Sequence, residues 1–218
     1  MSDTSAGILA LWHDCEPEQE AAFEEWYQTE HMDERLSIPG FLHGRRYEAV
    51  EGSPGYFTCY NVTDPAVFAS EAYQVHADAP TPMTRNIMTS GAITNMSRTV
   101  CKVAYRRGAM RGAFAVTAVL QTAGADVVFE PVLDELVNDP GVARAEYWIN
   151  AEASNAEASV EEQLRGGDDK VAACVFIETL RLRDATKVQQ RLADAGSAVI
   201  RPGIYRYLCD MDTQADRP

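Results

Sequence analysis

Hydrophobic and polar positions along this chain fall into short runs of two alternating kinds. Ile8 to His13 is an apolar run of strand length, broken by the polar segment Asp14 to Pro17. From there to about Leu36 the large residues recur at helical spacing. Phe23, Tyr27 and His31 lie four apart on one predicted face, and Trp26 and Glu30 form a second stack beside it. Ile38-Pro39-Gly40 stops this helix, because the residue before a proline is pushed out of the helical region. Phe41 to Val50 then predicts a strand, Glu51 to Gly55 a tight turn, and Tyr56 to Val62 a third strand, so the two strands form a hairpin. Asp64-Pro65 predicts the start of a second helix, which runs through Phe68 and Tyr73 to about His76. A short helix over Met83 to Thr94 and a fourth strand over Ser97 to Arg106 follow.

The second half repeats this order. Strands are predicted at Phe114 to Gln121, Val142 to Ala151, Val171 to Leu180 and Ile204 to Met211, with helices at Val127 to Val137 and Asp184 to Ala195. The anchors correspond: Ile38-Pro39-Gly40-Phe41 matches Asp139-Pro140-Gly141-Val142. Strand, helix, strand, strand, helix, strand is the ferredoxin-like βαββαβ unit. The expected fold is therefore α+β, with two tandem ferredoxin-like repeats over residues 1–107 and 113–218 and a linker at 108–112. The polar stretch Glu152 to Asp169 replaces the tight turn of the first half and reads as an exposed loop. The second repeat has no counterpart of the Trp26, Tyr27, Glu30 and His31 cluster, so the first half reads as chemical and the second as mainly structural.

Composition narrows the classes of function. The 218 residues are 46% hydrophobic and 24% charged, which is ordinary globular material. A net charge of -14 argues against nucleic acid or an anionic membrane as partner. No apolar run approaches a membrane span of about 20 residues, and no signal peptide is visible, so a cytoplasmic location is expected. The cysteines, at 15, 59, 101, 174 and 209, are scattered and odd in number, which fits reduced thiols rather than a disulfide framework or a zinc site. Cys15 sits between Asp14 and Glu16, a setting that raises a thiol pKa and disfavours it as a nucleophile. No metal-ligand spacing, dinucleotide fingerprint, phosphate loop or GxSxG elbow is present, so no metal is expected and the expected cofactor is none.

The candidate chemistry lies with the histidines and their neighbours. His31 is the leading general acid or base, since imidazole titrates nearest neutral pH. Tyr27, one turn earlier, is placed to share its ligand, and Glu30 is either a residue that orients His31 or solvated helix surface. On the second strand Phe41, His43, Arg45 and Tyr47 alternate with Leu42, Gly44 and Arg46. One arginine of the Arg45-Arg46 pair is expected to meet an oxyanion or a carboxylate, with Arg46 favoured. His13 ends the first strand beside Trp12, a frequent place for a reactive group. Trp12, Trp26, His43 and Tyr60 complete the set as candidate substrate contacts.

Trp26-Tyr27 with His31, then Ile38-Pro39-Gly40-Phe41 and Arg45-Arg46-Tyr47, resembles the dimeric α+β barrel superfamily, in particular its EthD-like members. The resemblance covers about residues 6 to 107. It implies two ferredoxin-like sheets packed face to face as an eight-stranded barrel, here supplied by one chain, with a pocket inside the barrel or between sheet and helices. It implies a small hydrophobic ligand, and sheet edges left open by the repeat would favour a homodimer. It also implies one of several activities: a cofactor-independent lyase, isomerase or dehydratase acting on an aromatic or cyclic carbonyl or phenolic compound, a haem-dependent or cofactor-free oxygenase, or a binding or stress protein without turnover. Fold does not choose among these.

Overall fold

The computed structural model describes residues 6–120, 122, 126–152, 157–195 and 199–213. Eight strands are present: β1 Gly7–Cys15, β2 Phe41–Glu51, β3 Tyr56–Val62, β4 Ile93–Arg107, β5 Phe114–Leu120, β6 Val142–Asn150, β7 Ala173–Thr179 and β8 Val199–Asp212. They close a barrel in the order β1-β3-β2-β8-β5-β7-β6-β4. Each half therefore contributes one four-stranded sheet, β4-β1-β3-β2 and β8-β5-β7-β6, joined through the antiparallel pairs β2·β8 and β4·β6. In this barrel every strand has two neighbours. An open sheet edge, the feature that would have driven a copy of the chain to add on, does not arise here.

The helices are α1 Glu20–Trp26 and α2 Met32–Ser37, joined by a π-helical turn over Tyr27–His31, then α3 Glu71–Asp78, α4 Pro82–Thr89, α5 Asp126–Leu136, α6 Val160–Leu164 and α7 Leu182–Ala195. Local chemistry sets their limits. Asp64 caps only a 3₁₀ turn at Pro65–Ala69; α3 begins after Ser70, whose hydroxyl accepts the Tyr73 N–H. Thr81 and Ser159 cap α4 and α6 in the same way. Gly40 (φ +97°) carries the chain from α2 into β2, at a spot where a Cβ would lie 2.5 Å from Val67.

Three apolar layers hold the molecule together. One lies between the first sheet and α1 to α4, including Phe23, Trp26, Tyr27, Phe41, Tyr60 and Met88. A second lies between the other sheet and its helices, including Phe129, Leu133, Val188 and Leu192. The third fills the barrel: Trp12, Tyr47, Phe57, Trp148, Phe176 and Tyr205 pack as stacked and tilted rings, with Trp148 and Phe176 centroids 4.6 Å apart. Arg45 is fully buried here and donates to Glu178 and Asn61, both at 3.0 Å, while the Tyr47 hydroxyl donates to Glu178. The barrel interior is thus a filled core.

Two expectations need correction. The faces of β2 do not alternate evenly, because a bulge between Phe41 and His43 shifts the register against β3. Phe41 joins Gly44 and Arg46 on the helix side, and Arg45, not Arg46, enters the barrel. The stretch after β6 is not simply an exposed loop. Part of it folds as α6, lies against α3 and α4, and buries Glu161.

Candidate functional site

The helix that carries His31 is not a continuous α-helix. At the π-helical turn the Met32 N–H reaches the Tyr27 carbonyl, five residues back. The wider turn brings residues five apart into line. His31 accordingly stacks on Trp26, with centroids 4.0 Å apart and planes 29° apart, and meets Tyr27 edge-on at 5.3 Å. Trp26 is itself fixed, because its Nε1–H donates to Thr84 Oγ1 at 2.9 Å. Glu30 accepts from Thr81 at 2.6 Å and from Thr84 at 2.9 Å. Glu30 is half-buried at the rim of a surface depression and is no direct partner of His31; it holds Thr84, which accepts from the Trp26 indole on which His31 stacks.

His31 lines a cleft of about 30 Å³ between the first sheet and the helices, room for one or two waters. Its other walls include Trp26, Tyr27, Tyr60, Arg35 and, from the second repeat, Glu161 and Arg165. Arg35 follows His31 by four residues and forms a buried ion pair with Glu161. Two donors on this wall lack partners: Arg35 Nη1 and the Tyr60 hydroxyl. Gly44 makes room for Tyr60, since a Cβ there would lie 2.8 Å from two of its ring carbons. His31 Nδ1 also lacks a hydrogen bond and faces Glu34 Oε2 across 3.8 Å, while the other oxygen of Glu34 lies 3.1 Å from His76 Nδ1. The side chains of His31 and Glu34 are only 7% and 11% exposed.

The charges in this cleft decide its chemistry. Burial first, then the guanidiniums of Arg35, Arg165 and Arg46, hold His31 well below the usual histidine range, so it is a neutral imidazole at pH 7. Burial pushes the Tyr27 and Tyr60 phenols up, so both stay protonated. A neutral base, an unsatisfied phenolic donor and an unsatisfied guanidinium N–H share one small cleft. That set can accept a proton from a ligand and hold the negative charge left behind.

The sequence-predicted residues separate into groups. His31, Tyr27, Trp26 and Tyr60 line the cleft. Arg46 lies at its edge, bidentate on Glu24 at 2.7 and 2.8 Å, with its guanidinium 3.8 Å from the Tyr27 ring centre. His13 is on the same side of the sheet but packed against Tyr56 and Phe23, and burial lowers its pKa to about 4. Trp12 is inside the barrel, stacked on Phe57 and bonded to Thr117, and His43 lies on β2 away from the cleft wall. Burial, then Glu20, Glu24 and Glu16, push the Cys15 thiol up to about 11. Sequence reasoning missed Arg35, Glu34, Glu161 and Arg165. The first two stand four and three residues after His31, and that spacing was a usable signal; nothing in the polar stretch marked the other two.

Beside the cleft runs an open groove of about 640 Å³, lined by Phe68, Gln74, Val100, Glu152, Ser159 and Lys170 among others. Tyr73 and Arg98 belong to both walls, and Arg98 donates to the Tyr73 hydroxyl at 2.7 Å. No metal-binding cluster occurs among the described residues, and none of their helices is long and apolar enough to cross a membrane.

No family model matches this chain, and no curated protein matches it by sequence. Solved structures do match over nearly its whole length. An anthrone oxidase-like protein shares 13% identity over 98% of this chain and 96% of its own, with a TM-score of 0.64. A provisionally assigned monooxygenase from Fusobacterium nucleatum subsp. nucleatum shares 10% identity over 95% of each chain, with a TM-score of 0.58. A provisionally assigned chlorite dismutase shares 9% identity over 94% of this chain and 96% of its own, with a TM-score of 0.56. With two ferredoxin-like sheets closed into one eight-stranded barrel and neighbours that match it end to end, this chain has a ferredoxin-like dimeric α+β barrel fold, its ferredoxin-like unit written twice in a single polypeptide.

Proposed function

We propose that the protein is a cofactor-independent acid/base enzyme, of lyase, isomerase or dehydratase type, acting on a small hydrophobic carbonyl or phenolic compound in the cleft beside His31. The observation that carries this reading is the coincidence, in one buried cleft, of a neutral imidazole with the two unpartnered donors of Arg35 and Tyr60. With Nδ1 turned toward Glu34, the other ring nitrogen of His31 is the one left to take a proton from a ligand C–H or O–H. The unpartnered Nη1 of Arg35 then holds the enolate or phenolate oxygen, with the Tyr60 hydroxyl left to hold another part of the ligand. Glu34 steadies the imidazolium, which its arginine neighbours make a strong acid that returns the proton quickly, as an isomerisation requires. A base this weak selects acidic substrates. Tyr27 and Arg46 become positioning residues that pin α1 and the imidazole to the sheet. A ligand of ordinary size, on the order of 300 Å³ or more, exceeds the cleft, so its body lies in the adjoining groove.

A cofactor-free oxygenase is the second reading. It rests on the likeness to an anthrone oxidase-like protein, since an electron-rich carbanion made by the same proton transfer reacts with oxygen directly. A haem-dependent reading, to which the likeness to a chlorite dismutase-like structure points, fits the residues poorly. His31 opens on a cleft far smaller than a porphyrin, and His76 lies on a shallow surface depression with Glu30, Asp33 and Glu34, which repel haem propionates. Association into a homodimer, expected from open sheet edges, has no such edge to drive it in the closed barrel, and sedimentation velocity measures it.

The test is a screen of enolisable ketones and hydroxyaromatics with wild-type protein and His31→Gln. Turnover is expected to fall at least a hundredfold in the variant, in line with loss of a general base. Unchanged turnover would remove His31 from the mechanism, and binding without turnover in both proteins would favour a binding protein.

A further inference from the structure

The element that closes the cleft comes from the other repeat. Arg35 and Glu161 are 126 positions apart, both are buried, and their ion pair ties α6 down over the first repeat's sheet–helix space. The tie is short. Helix α6 has five residues; Val160 N–H donates to Asp78 at 3.3 Å on one side, and Arg165 pairs with Asp168 on the other. Directly after it, Gly166 and Gly167 take φ of +92° and +99° with open space around both, a place where the backbone can turn without a side chain in the way. Ser159, the cap of α6, and Glu162, in its middle, line the 640 Å³ groove. Moving α6 outward would therefore merge groove and cleft.

Lifting α6 also takes Glu161 from Arg35. A buried guanidinium stripped of its carboxylate is strongly unfavourable. Arg35, with Nη1 already unused, and the unused Tyr60 hydroxyl then face a ligand with no carboxylate bonded to either, whereas Arg165 keeps Asp168. A neutral molecule leaves that deficit in place; an anion removes it. We propose that the cleft selects a small hydrophobic carboxylate, whose carboxylate group replaces Glu161 on Arg35 and accepts from the Tyr60 hydroxyl as α6 lifts. This deepens the function proposed above and rests on the same cleft being the active site: the substrate arrives as an anion, and Glu161 is the internal group it displaces.

Calorimetric titration of the full-length protein with sodium benzoate and with benzamide, its neutral counterpart, tests this directly. Benzoate is expected to bind at least roughly thirtyfold more tightly than benzamide. Glu161→Gln, which keeps the shape of the side chain and removes the competing charge, strengthens benzoate binding about fivefold or more and leaves benzamide unchanged. Tyr60→Phe weakens benzoate about tenfold without lowering Tm, because it removes a hydroxyl that has no partner in the folded protein. Amide exchange across Val160–Leu164 speeds up on saturation with benzoate. Equal affinity for the two probes, no benzoate binding, weaker binding in Glu161→Gln, or slower exchange across α6 would each overturn the proposal. The two levels are separable. If His31→Gln still turns over while benzoate selectivity holds, the catalytic reading falls alone. If His31→Gln is inactive and selectivity is absent, only the carboxylate proposal falls.

Discussion

At the scale of single residues, two histidines share a physical state and differ in what they face. His13 and His31 are both buried and both held neutral, mainly by loss of hydration. His13 spends this on packing against Tyr56 and Phe23, whereas His31 lines a cleft. Their shared state makes a prediction about acid stability. With a folded pKa of about 4 and an ordinary unfolded value of 6.5, His13 takes its proton first in the unfolded chain. Stability is therefore complete above about pH 6.5 and is lost as pH falls from there toward 4, by roughly 3 kcal/mol for His13, with His31 adding in the same direction. Urea titrations at pH 7, 6 and 5 should show that decline, and His13→Phe should flatten part of it; stability constant across this range would contradict the buried neutral state. Gly44→Ala forces a Cβ against the Tyr60 ring. It should cost about 1 to 3 kcal/mol of stability and move the Tyr60 hydroxyl, read out as weaker benzoate binding.

At the scale of elements, the π-helical turn is what brings His31 onto Trp26 and Tyr27. A sequence reading in steps of four places His31 over Tyr27 and leaves Trp26 to the side, and that much of the cluster was legible. The extra residue in the turn lets His31 contact both rings, and no local sequence rule signals it. Deleting the exposed Thr29 should restore an ordinary α-helix, in which His31 lies four residues after Trp26 and stays over it but only three after Tyr27, so that it turns away from the Tyr27 ring. Far-UV circular dichroism should be retained, the near-UV aromatic signal should change, and activity should be lost; a variant with unchanged near-UV signal and activity would show that the turn is incidental. The bulge in β2 has a similar lesson. Strict alternation grouped Phe41 with Arg45, but the bulge sends Phe41 to the helix side and Arg45 into the barrel, where Glu178 lies 133 positions away. The identity of that distant partner decides which arginine can be buried, and it is invisible from the strand alone.

At the scale of the molecule, the duplicated element order was readable because the turn signals repeat: Pro39-Gly40 and Pro140-Gly141 each end a helix and open a strand. Barrel closure follows from two such sheets sharing a filled interior. What the pattern did not show is that the halves exchange side chains, with Glu178 meeting Arg45 inside the barrel and Glu161 meeting Arg35 outside it. The first of these is a buried pair, and removing one partner strands the other charge. Arg45→Met should destabilise the protein by about 3 to 5 kcal/mol, and Arg45→Met with Glu178→Met should recover much of the loss. Equal destabilisation by the single and double variants in urea would show that the pair is not coupled.

A neutral His31 opening on an anion-selective cleft is read out by a nitrogen-15 NMR titration of the protein's four histidines with and without saturating sodium benzoate, assigned with His31→Gln. His31 should stay neutral to well below pH 6.5, and benzoate should shift its ring resonances and raise its pKa, since the added anion lies close by. A His31 that titrates near 6.5, or one that benzoate leaves untouched, would contradict this reading.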